Sequence, residues 1–453
     1  MSQTFVLKKG LNIPVAGEAE LRVSKTIAPG IVAVQPTDFK GFLPRLLVKE
    51  GDPVLCGSPV AADKKNAEIL LTSPVSGTVR QIVRGEKRKL LAILVEADGR
   101  RQCVDFGVRD TASLDDAQVR QALLQSGLWP ALVQRPYGIV ADPAVRPRDI
   151  FVSTFSTAPL APDTAFCLGS EFAAIQAGID ALSKLTDGKV RVGLDGNAAS
   201  SPFAALKGCE LYTFKGRHPA GNVGVQISHI APLRKQDTVW TVSLASLSAI
   251  GKLFTTGRYD VRRKVAVTGP MALDCAYVDT LPGTPMKELR AFWGNTPTED
   301  LRIVGGDVLS GRVIGPDGYL GFFDTQLTLL REGTDKELLG WIRPLRFNQF
   351  SADRSYFSWL LPKKKYAMDT NLHGGARAFL MNDGYYARVL PMDIYPVFLA
   401  KACLAGDIEK MEKFGIYEVL PEDLATCEFV DPSKNDIQDM IERGIGLMLK
   451  EMA

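Results

Sequence analysis

Val190-Arg-Val-Gly-Leu-Asp-Gly-Asn-Ala-Ala-Ser-Ser-Pro-Phe-Ala-Ala-Leu-Lys-Gly-Cys-Glu-Leu-Tyr-Thr-Phe214 is the stretch that decides the fold class of this chain. It opens on a short apolar run, 190–194, of the kind that suits a strand covered on both faces. Ser201 then stands where a helix cap belongs, with Pro202 at the first helical position, where its missing N–H is not needed. A second run, 209–214, reads as the next strand. Strand, helix, strand is a crossover unit, because neighbouring parallel strands need a long connection.

The same alternation extends in both directions. Residues 151–157 read as an earlier strand. Ser170-Glu171 opens a helix whose Phe172, Ile175, Ile179 and Leu182 fall on one face, and Gly188 closes it. Before a proline-rich connector at 136–147, Ser113 is a plausible N-cap, Asp115 and Asp116 suit the positive helix start, and Gly127 ends that helix. On the far side, Leu247, Ile250, Leu253 and Phe254 mark a last helix that stops at Gly257. Residues 106–259 are therefore predicted to form a Rossmann-like, doubly wound α/β domain.

The flanks read differently. Residues 1–105 are predicted to be β-rich, with short strands punctuated by Gly51-Asp52, Gly57, Ser73-Pro74 and Gly77. The stretches 45–54 and 78–86 look like half-repeats around Ser-Pro-Val-Ser-Gly. The pattern resembles the barrel-sandwich fold of lipoyl and biotinyl carriers. Lys64 and Lys65 lie near the place of the modified lysine, nine and eight residues before Ser73, without a Met-Lys-Met or Asp-Lys-Ala signature. A swinging-arm carrier is thus an alternative reading, against a plain solvated hairpin. Residues 260–332 are expected to form a small mixed sheet gripping one short helix at 285–292, a β-grasp arrangement. Residues 333–453 are expected to be loop-rich and then helical, with helices near 392–405, 407–414 and 434–452.

Composition narrows the function. The chain has 453 residues, 46% of them hydrophobic, with mean hydropathy +0.02, which fits three or four globular domains. Basic and acidic residues number 54 and 51, so no broad positive field recruits nucleic acid. No stretch reads as membrane-spanning; 90–95 is too short and 240–254 too rich in serine. The N-terminus lacks the pattern of a signal peptide. Seven cysteines, at 56, 103, 167, 209, 275, 403 and 427, include no C-x-x-C pair and suggest reduced thiols in the cytoplasm. With three histidines (His218, His229, His373), a metal site is not expected.

Chemistry has few places to sit. A dinucleotide needs glycines directly after the first strand of such a sheet, yet Ala158-Pro-Leu-Ala-Pro-Asp163 follows, and no G-x-G-x-x-G or G-x-x-x-x-G-K-[ST] occurs. No catalytic residue and no cofactor ligand is assigned. The glycine-rich loop Lys215-Gly-Arg-His-Pro-Ala-Gly-Asn-Val-Gly224 follows the third strand, at the sheet end where ligands bind. Gly216, Gly221 and Gly224 would let backbone approach a ligand or partner, with Arg217 and His218 as donors; the alternative is a turn whose histidine caps a backbone carbonyl. His229 alternates with apolar residues and is expected on a half-buried strand. Ser355-Tyr-Phe-Ser-Trp-Leu-Leu-Pro-Lys-Lys-Lys-Tyr366 sets aromatics beside lysines, which suits a headgroup interface or an acidic partner; a core segment followed by a solvated loop is the plainer expectation.

Several of these motifs carry a resemblance. Lys8-Lys-Gly-Leu-Asn-Ile-Pro-Val-Ala-Gly17, Thr72-Ser-Pro-Val-Ser-Gly-Thr-Val79, the loop from His218 to Gly224, and Ile303-Val-Gly-Gly-Asp-Val-Leu-Ser-Gly311 resemble the A subunit of the sodium-translocating NADH:quinone oxidoreductase. Gly318-Tyr-Leu-Gly321, Val389-Leu-Pro-Met-Asp-Ile394 and Glu422-Asp-Leu-Ala-Thr-Cys427 continue it in order to the end of the chain. The resemblance implies an architecture shared with the C subunit of the Rnf complex and the NADH-binding flavoprotein of complex I, with the third domain of the soluble-ligand-binding β-grasp (SLBB) type. It implies a complex that oxidises NADH through flavins and a [2Fe–2S] centre in other subunits, reduces ubiquinone and exports sodium. The A subunit is then peripheral on the cytoplasmic face of the bacterial inner membrane, docked on the membrane B subunit near the quinone end. Relatives commonly show a second cysteine where Asp431 stands, and Cys427 alone cannot hold a cluster. An independent flavin- or NADH-binding oxidoreductase is the remaining alternative.

Overall fold

The computed structural model describes residues 3–333, 345–354, 356–371 and 383–451. Four strands of the central region run parallel in the spatial order Glu210–Lys215, Val190–Asp195, Ile150–Ser153, Val239–Thr241. The chain starts on Ile150–Ser153, steps outward twice, then crosses back for Val239–Thr241. The order therefore reverses between those two strands. Side-chain alternation covers both faces. Ile150 and Val152 join the core shared with helices Phe172–Leu182 and Leu244–Thr256, whereas Phe151 packs against Ile227 of helix Val223–Ile230. Two-sided burial explains why these strands read as continuous apolar runs.

Several local expectations are corrected. The first helix, Asp116–Ser126, is capped by Asp115, whose carboxylate accepts from the Gln118 N–H while the Gln118 side chain accepts from the Asp115 N–H. Ser113 instead closes a short turn by donating to Asp110 O; the reciprocal pair three residues apart outcompetes it. Helix Phe172–Leu182 ends well before Gly188, which a side chain could not replace because its Cβ would lie 2.1 Å from Arg148 O. His229 lies on helix Val223–Ile230, because the chain must cross the sheet between parallel strands and the Val223–Ile230 pattern fits either period. Among the described residues one helical stretch, Thr164–Leu182, has the length and composition to cross a membrane, with a mean hydropathy of 1.2. It is broken at Gly169–Glu171, and Ile175, Ile179 and Leu182 are spent on the sheet core.

The β-rich region forms two small sheets. One has the order Ile31–Val34, Leu90–Ala97, Gly77–Arg84, Pro53–Val54, and the other Pro44–Leu46, Pro59–Asp63, Leu70–Thr72. Val32, Val60, Leu71, Val79, Ile93 and Val95 fill the space between them. The expected half-repeat is absent: 45–54 supplies strands to both sheets, while 78–86 falls mostly within the single strand Gly77–Arg84. Two strands of residues 1–105 pair outside these two sheets. Gln3–Val6 adds in parallel to Glu210–Lys215, and Val23–Thr26 adds in parallel to Tyr277–Thr280. Short edge strands carry no sequence mark of the partner they will choose.

Residues 260–332 build a six-stranded mixed sheet with Val23–Thr26 at one edge. The helical turn Met286–Phe292 lays Met286, Leu289 and Phe292 against Val265, Val267, Leu327 and Leu329. In the C-terminal part, helices Pro396–Ala405, Ile408–Phe414 and Ile437–Glu451 fall near the expected places, and Asp383–Val389 and Ala425–Val430 add two that were not foreseen. Their core takes in Leu7, Phe155, Phe214 and Val225. The helical part thus packs on the edge of the parallel sheet and on the N-terminal strand.

Candidate functional site

The loop after strand Glu210–Lys215 is where sequence placed the contact residues. Its glycines are required by the chain's own packing. A Cβ on Gly216 would lie 2.9 Å from Leu7 Cβ, one on Gly221 2.6 Å from Thr157 N, and one on Gly224 2.2 Å from Asp423 Oδ2 and 2.5 Å from Arg135 Nη1. Each glycine lets a different segment approach: the N-terminal strand, the loop after the first parallel strand, and a C-terminal ion pair. The crevice end of the sheet is in this way largely filled from within.

His218 is buried, 4% exposed. Its N–H donates to Asn12 Oδ1 at 3.1 Å, its carbonyl accepts from Leu11 N at 2.8 Å, and the His218–Pro219 peptide is cis. Thr157 Oγ1 accepts from Gly221 N at 3.0 Å and lies 3.2 Å from His218 Nδ1. The hydroxyl has one proton and two lone pairs, so this contact suits either tautomer of the neutral ring. Burial pushes His218 down to about 4, against the opposing pull of Asp307 and Asp423. Asp307 belongs to the glycine turn after strand Leu301–Gly305, where its carboxylate accepts from Leu309 N and Ser310 Oγ, both at 2.7 Å. Arg217, by contrast, is exposed. The expected site residues are therefore brought together, but His218 faces the interior and Arg217 faces solvent.

The Asp423 ion pair completes this junction. Arg135 Nη1 meets Asp423 Oδ2 and Arg135 Nη2 meets Glu422 Oε1, each at 2.9 Å, with Arg135 and Asp423 both buried. Asn222 Nδ2 donates to Glu422 O at 3.2 Å. The loop 216–224 thus touches the N-terminal segment, the parallel sheet and the C-terminal helices, with Asp307 of the 260–332 region acting on His218 electrostatically. His229 turns back on its own helix, with Nδ1 2.9 Å from Val225 O.

Where the dinucleotide phosphate would sit on such a sheet, Asp163 caps helix Thr164–Leu168 by accepting from Phe166 N at 2.8 Å. A carboxylate already fills the anion position of that helix start. Among the described residues no three His, Cys, Asp or Glu side chains converge as a metal-holding group. His373 lies outside the described residues. Lys64 and Lys65 are exposed in the hairpin between Pro59–Asp63 and Leu70–Thr72, where the Asp63 carboxylate accepts from Lys65 N at 2.9 Å. Cys427 is fully buried, and burial pushes its thiol up. Asp431 accepts from Asn435 N at 2.8 Å and shapes the turn into the last helix.

Sequence reasoning missed two groupings because their members are far apart in the chain. Cys56 and Cys103 form an isolated parallel bridge, Cys56 bonding to Gln102 O and Val104 N, and their thiols donate to Tyr259 O at 3.2 Å and Arg101 O at 3.4 Å. Asp38, Arg312 and Asp324 meet between the barrel and the 260–332 sheet, with Arg312 Nη2 3.5 Å from Asp38 and 3.7 Å from Asp324. Burial raises Asp38 to about 6, with Arg312 opposing. The segment around 345–366 also departs from the core expectation: Phe357, Trp359, Leu360 and Leu361 are all exposed.

Comparison with known proteins gives matches along the chain. Residues 5–98 match the NqrA N-terminal barrel-sandwich hybrid domain, and residues 114–259 match the NqrA second alpha/beta domain. The A subunit of the Na(+)-translocating NADH-quinone reductase from Yersinia pestis bv. Antiqua (strain Angola) is 38% identical over 94% of this chain and 95% of its own length. Its counterpart from Pasteurella multocida (strain Pm70) is 36% identical over 99% and 100%, and that of Cellvibrio japonicus (strain Ueda107) 35% over 97% and 98%.

Proposed function

The chain belongs to the family of Na(+)-translocating NADH-quinone reductase A subunits, and from that membership we propose that it works at the quinone end of such a complex as a peripheral, non-catalytic subunit. The complex is an oxidoreductase that couples NADH oxidation and quinone reduction to sodium translocation. Similarity running end to end, 38% over 95% of the Yersinia relative, carries the reading. Each part of that relative has a counterpart here, so the subunit's role transfers as a whole.

The finer assignments are our own. We read the parallel sheet as Rossmann-like from its 3-2-1-4 strand order and its helices on both faces, and the 260–332 sheet as an SLBB-type β-grasp. The capping carboxylate of Asp163 and the inward packing of Gly221 favour a sheet kept for architecture. The flavins and the [2Fe–2S] centre are assigned to other subunits and ubiquinone is the electron acceptor of the complex. The chain lies on the cytoplasmic face of the membrane and docks on the B subunit. Within the glycine loop, the contact falls to Arg217, whose side chain reaches solvent, and His218 serves to hold the junction.

Purification of the chain with and without the remaining subunits tests this reading. The isolated chain is expected to show no flavin absorbance, an unmodified mass that excludes a lipoyl or biotinyl arm on Lys64 or Lys65, and no NADH oxidation. With the other subunits present, it is expected to co-purify with the membrane subunits. Bound flavin, a modified lysine, or NADH oxidation by the chain alone would contradict it.

A further inference from the structure

We propose that Leu345, Phe347, Phe357, Trp359, Leu360 and Leu361, rimmed by Arg354, Lys363 and Lys364, form a ledge that rests on anionic lipid headgroups. The proposal rests on the reading of the chain as part of a membrane complex. The six apolar side chains are 70, 42, 41, 48, 53 and 42% exposed. Isolated exposed apolar residues are ordinary, but a contiguous set marks a surface that something covers. The Phe347 and Phe357 rings lie 6.2 Å apart, the Arg354 guanidinium sits 5.5 Å over Trp359, and Lys364 Nζ donates to Phe347 O at 2.8 Å. These contacts join the two stretches into one surface.

Its outward presentation is built into the fold. Tyr356 and Ser358 point inward while their neighbours Phe357 and Trp359 point out. Tyr366 is buried, its hydroxyl donates to Ser358 O at 3.3 Å, and its backbone bonds to Pro14 O and from Ala16 N, both at 2.8 Å. Phe350 is wedged between the rings of Tyr366 and Phe429. The turn Phe357–Leu360 is therefore held from beneath, with its apolar side facing away from the protein.

Charge selects the occupant. Residues 345–366 hold five basic side chains, Arg346, Arg354, Lys363, Lys364 and Lys365, against one acid, Asp353, in a chain whose whole net charge is +3. Arg346 is buried and Lys365 pairs with Glu18, which leaves Arg354, Lys363 and Lys364 at the rim. A tryptophan and leucines flanked by lysines match the boundary between acyl chains and anionic headgroups, where apolar groups dip in and ammonium groups stay at the phosphate level.

Flotation of the intact purified chain with vesicles tests the proposal. Binding is expected to phosphatidylcholine vesicles containing phosphatidylglycerol, to weaken as salt rises, and to be much lower with phosphatidylcholine alone. Neutralising Lys363 and Lys364 together to Gln is expected to lower partitioning about 25-fold, at roughly five-fold per lysine. Trp359→Phe is expected to remove a blue shift in tryptophan emission on binding, and Leu360→Ser with Leu361→Ser to weaken binding without lowering the melting temperature, since these side chains are exposed. No binding to the anionic vesicles, or equal binding by all variants, would overturn the lipid assignment. So would variants that bind vesicles normally yet fail to co-purify with the other subunits, because the ledge would then seat a protein. Vesicle binding needs neither NADH nor quinone, so its failure is separable from failure of the family reading.

Discussion

His218 is the residue at which sequence and structure part most sharply. Its place in a glycine loop at the end of a parallel strand made it a candidate donor, and that location is correct; its direction was set by Thr157 and Asn12, 61 and 206 residues away, which no local pattern encodes. Burial has a measurable consequence. The unfolded histidine takes a proton near pH 6.5, while folded His218 resists until about 4. Between those values the unfolded state binds the extra proton, so stability falls as pH falls, by about 1.4 kcal/mol per unit. From pH 7 to 5 the loss is expected to be about 2 kcal/mol by urea unfolding, and His218→Gln should remove that part of the slope; an unchanged slope would place the ring in solvent. The Arg135–Asp423 pair gives a second case. Asp423→Ala leaves the buried Arg135 guanidinium with Glu422 as its one remaining carboxylate and is expected to cost about 3 kcal/mol, and Gly224→Ala, whose methyl would enter the same pair, should destabilise comparably in the same assay. A loss below about 1 kcal/mol in both would show that this contact is not closed.

Elements with strong local signals were legible. The valine-rich strands, the Ser201–Pro202 cap and the helix stop at Gly257 are found as read, because propensity and two-sided burial point the same way. Strands at sheet edges were not, since Gln3–Val6 and Val23–Thr26 are short and partly exposed and find partners some 200 residues on. Helix packing was half legible. Leu247, Ile250 and Leu253 announced a buried face, yet the closest approach depends on Gly178 and Gly251, each of which costs about 1 kcal/mol in a helix relative to alanine. A Cβ on Gly251 would stand 1.6 Å from Ala174 O. Gly251→Ala, which raises helix propensity, is instead expected to lower stability by about 3 kcal/mol as the two helices are forced apart. A gain in melting temperature would mean that the helices are not in contact there.

At the scale of the molecule, the loop 216–224 joins the N-terminal segment, the parallel sheet and the C-terminal helices through contacts that lie in no single one of them, which is why neither composition nor motif spacing revealed its role. What the sequence did disclose was the ordered set of motifs from Lys8 to Cys427, and the end-to-end similarity agrees with it. The contact proposed for the solvent-facing Arg217 is testable apart from the fold: Arg217→Ala is expected to leave the melting temperature unchanged and to slow quinone reduction by the assembled complex several-fold, and equal rates would remove it from the quinone or partner contact. The most direct test of the whole account uses membranes carrying the other subunits of the complex, with and without this chain. Without it, NADH oxidation by an artificial acceptor such as ferricyanide is expected to persist while sodium-stimulated quinone reduction is lost, and adding back the purified chain should restore it. Sodium-stimulated quinone reduction at full rate in its absence would contradict the account.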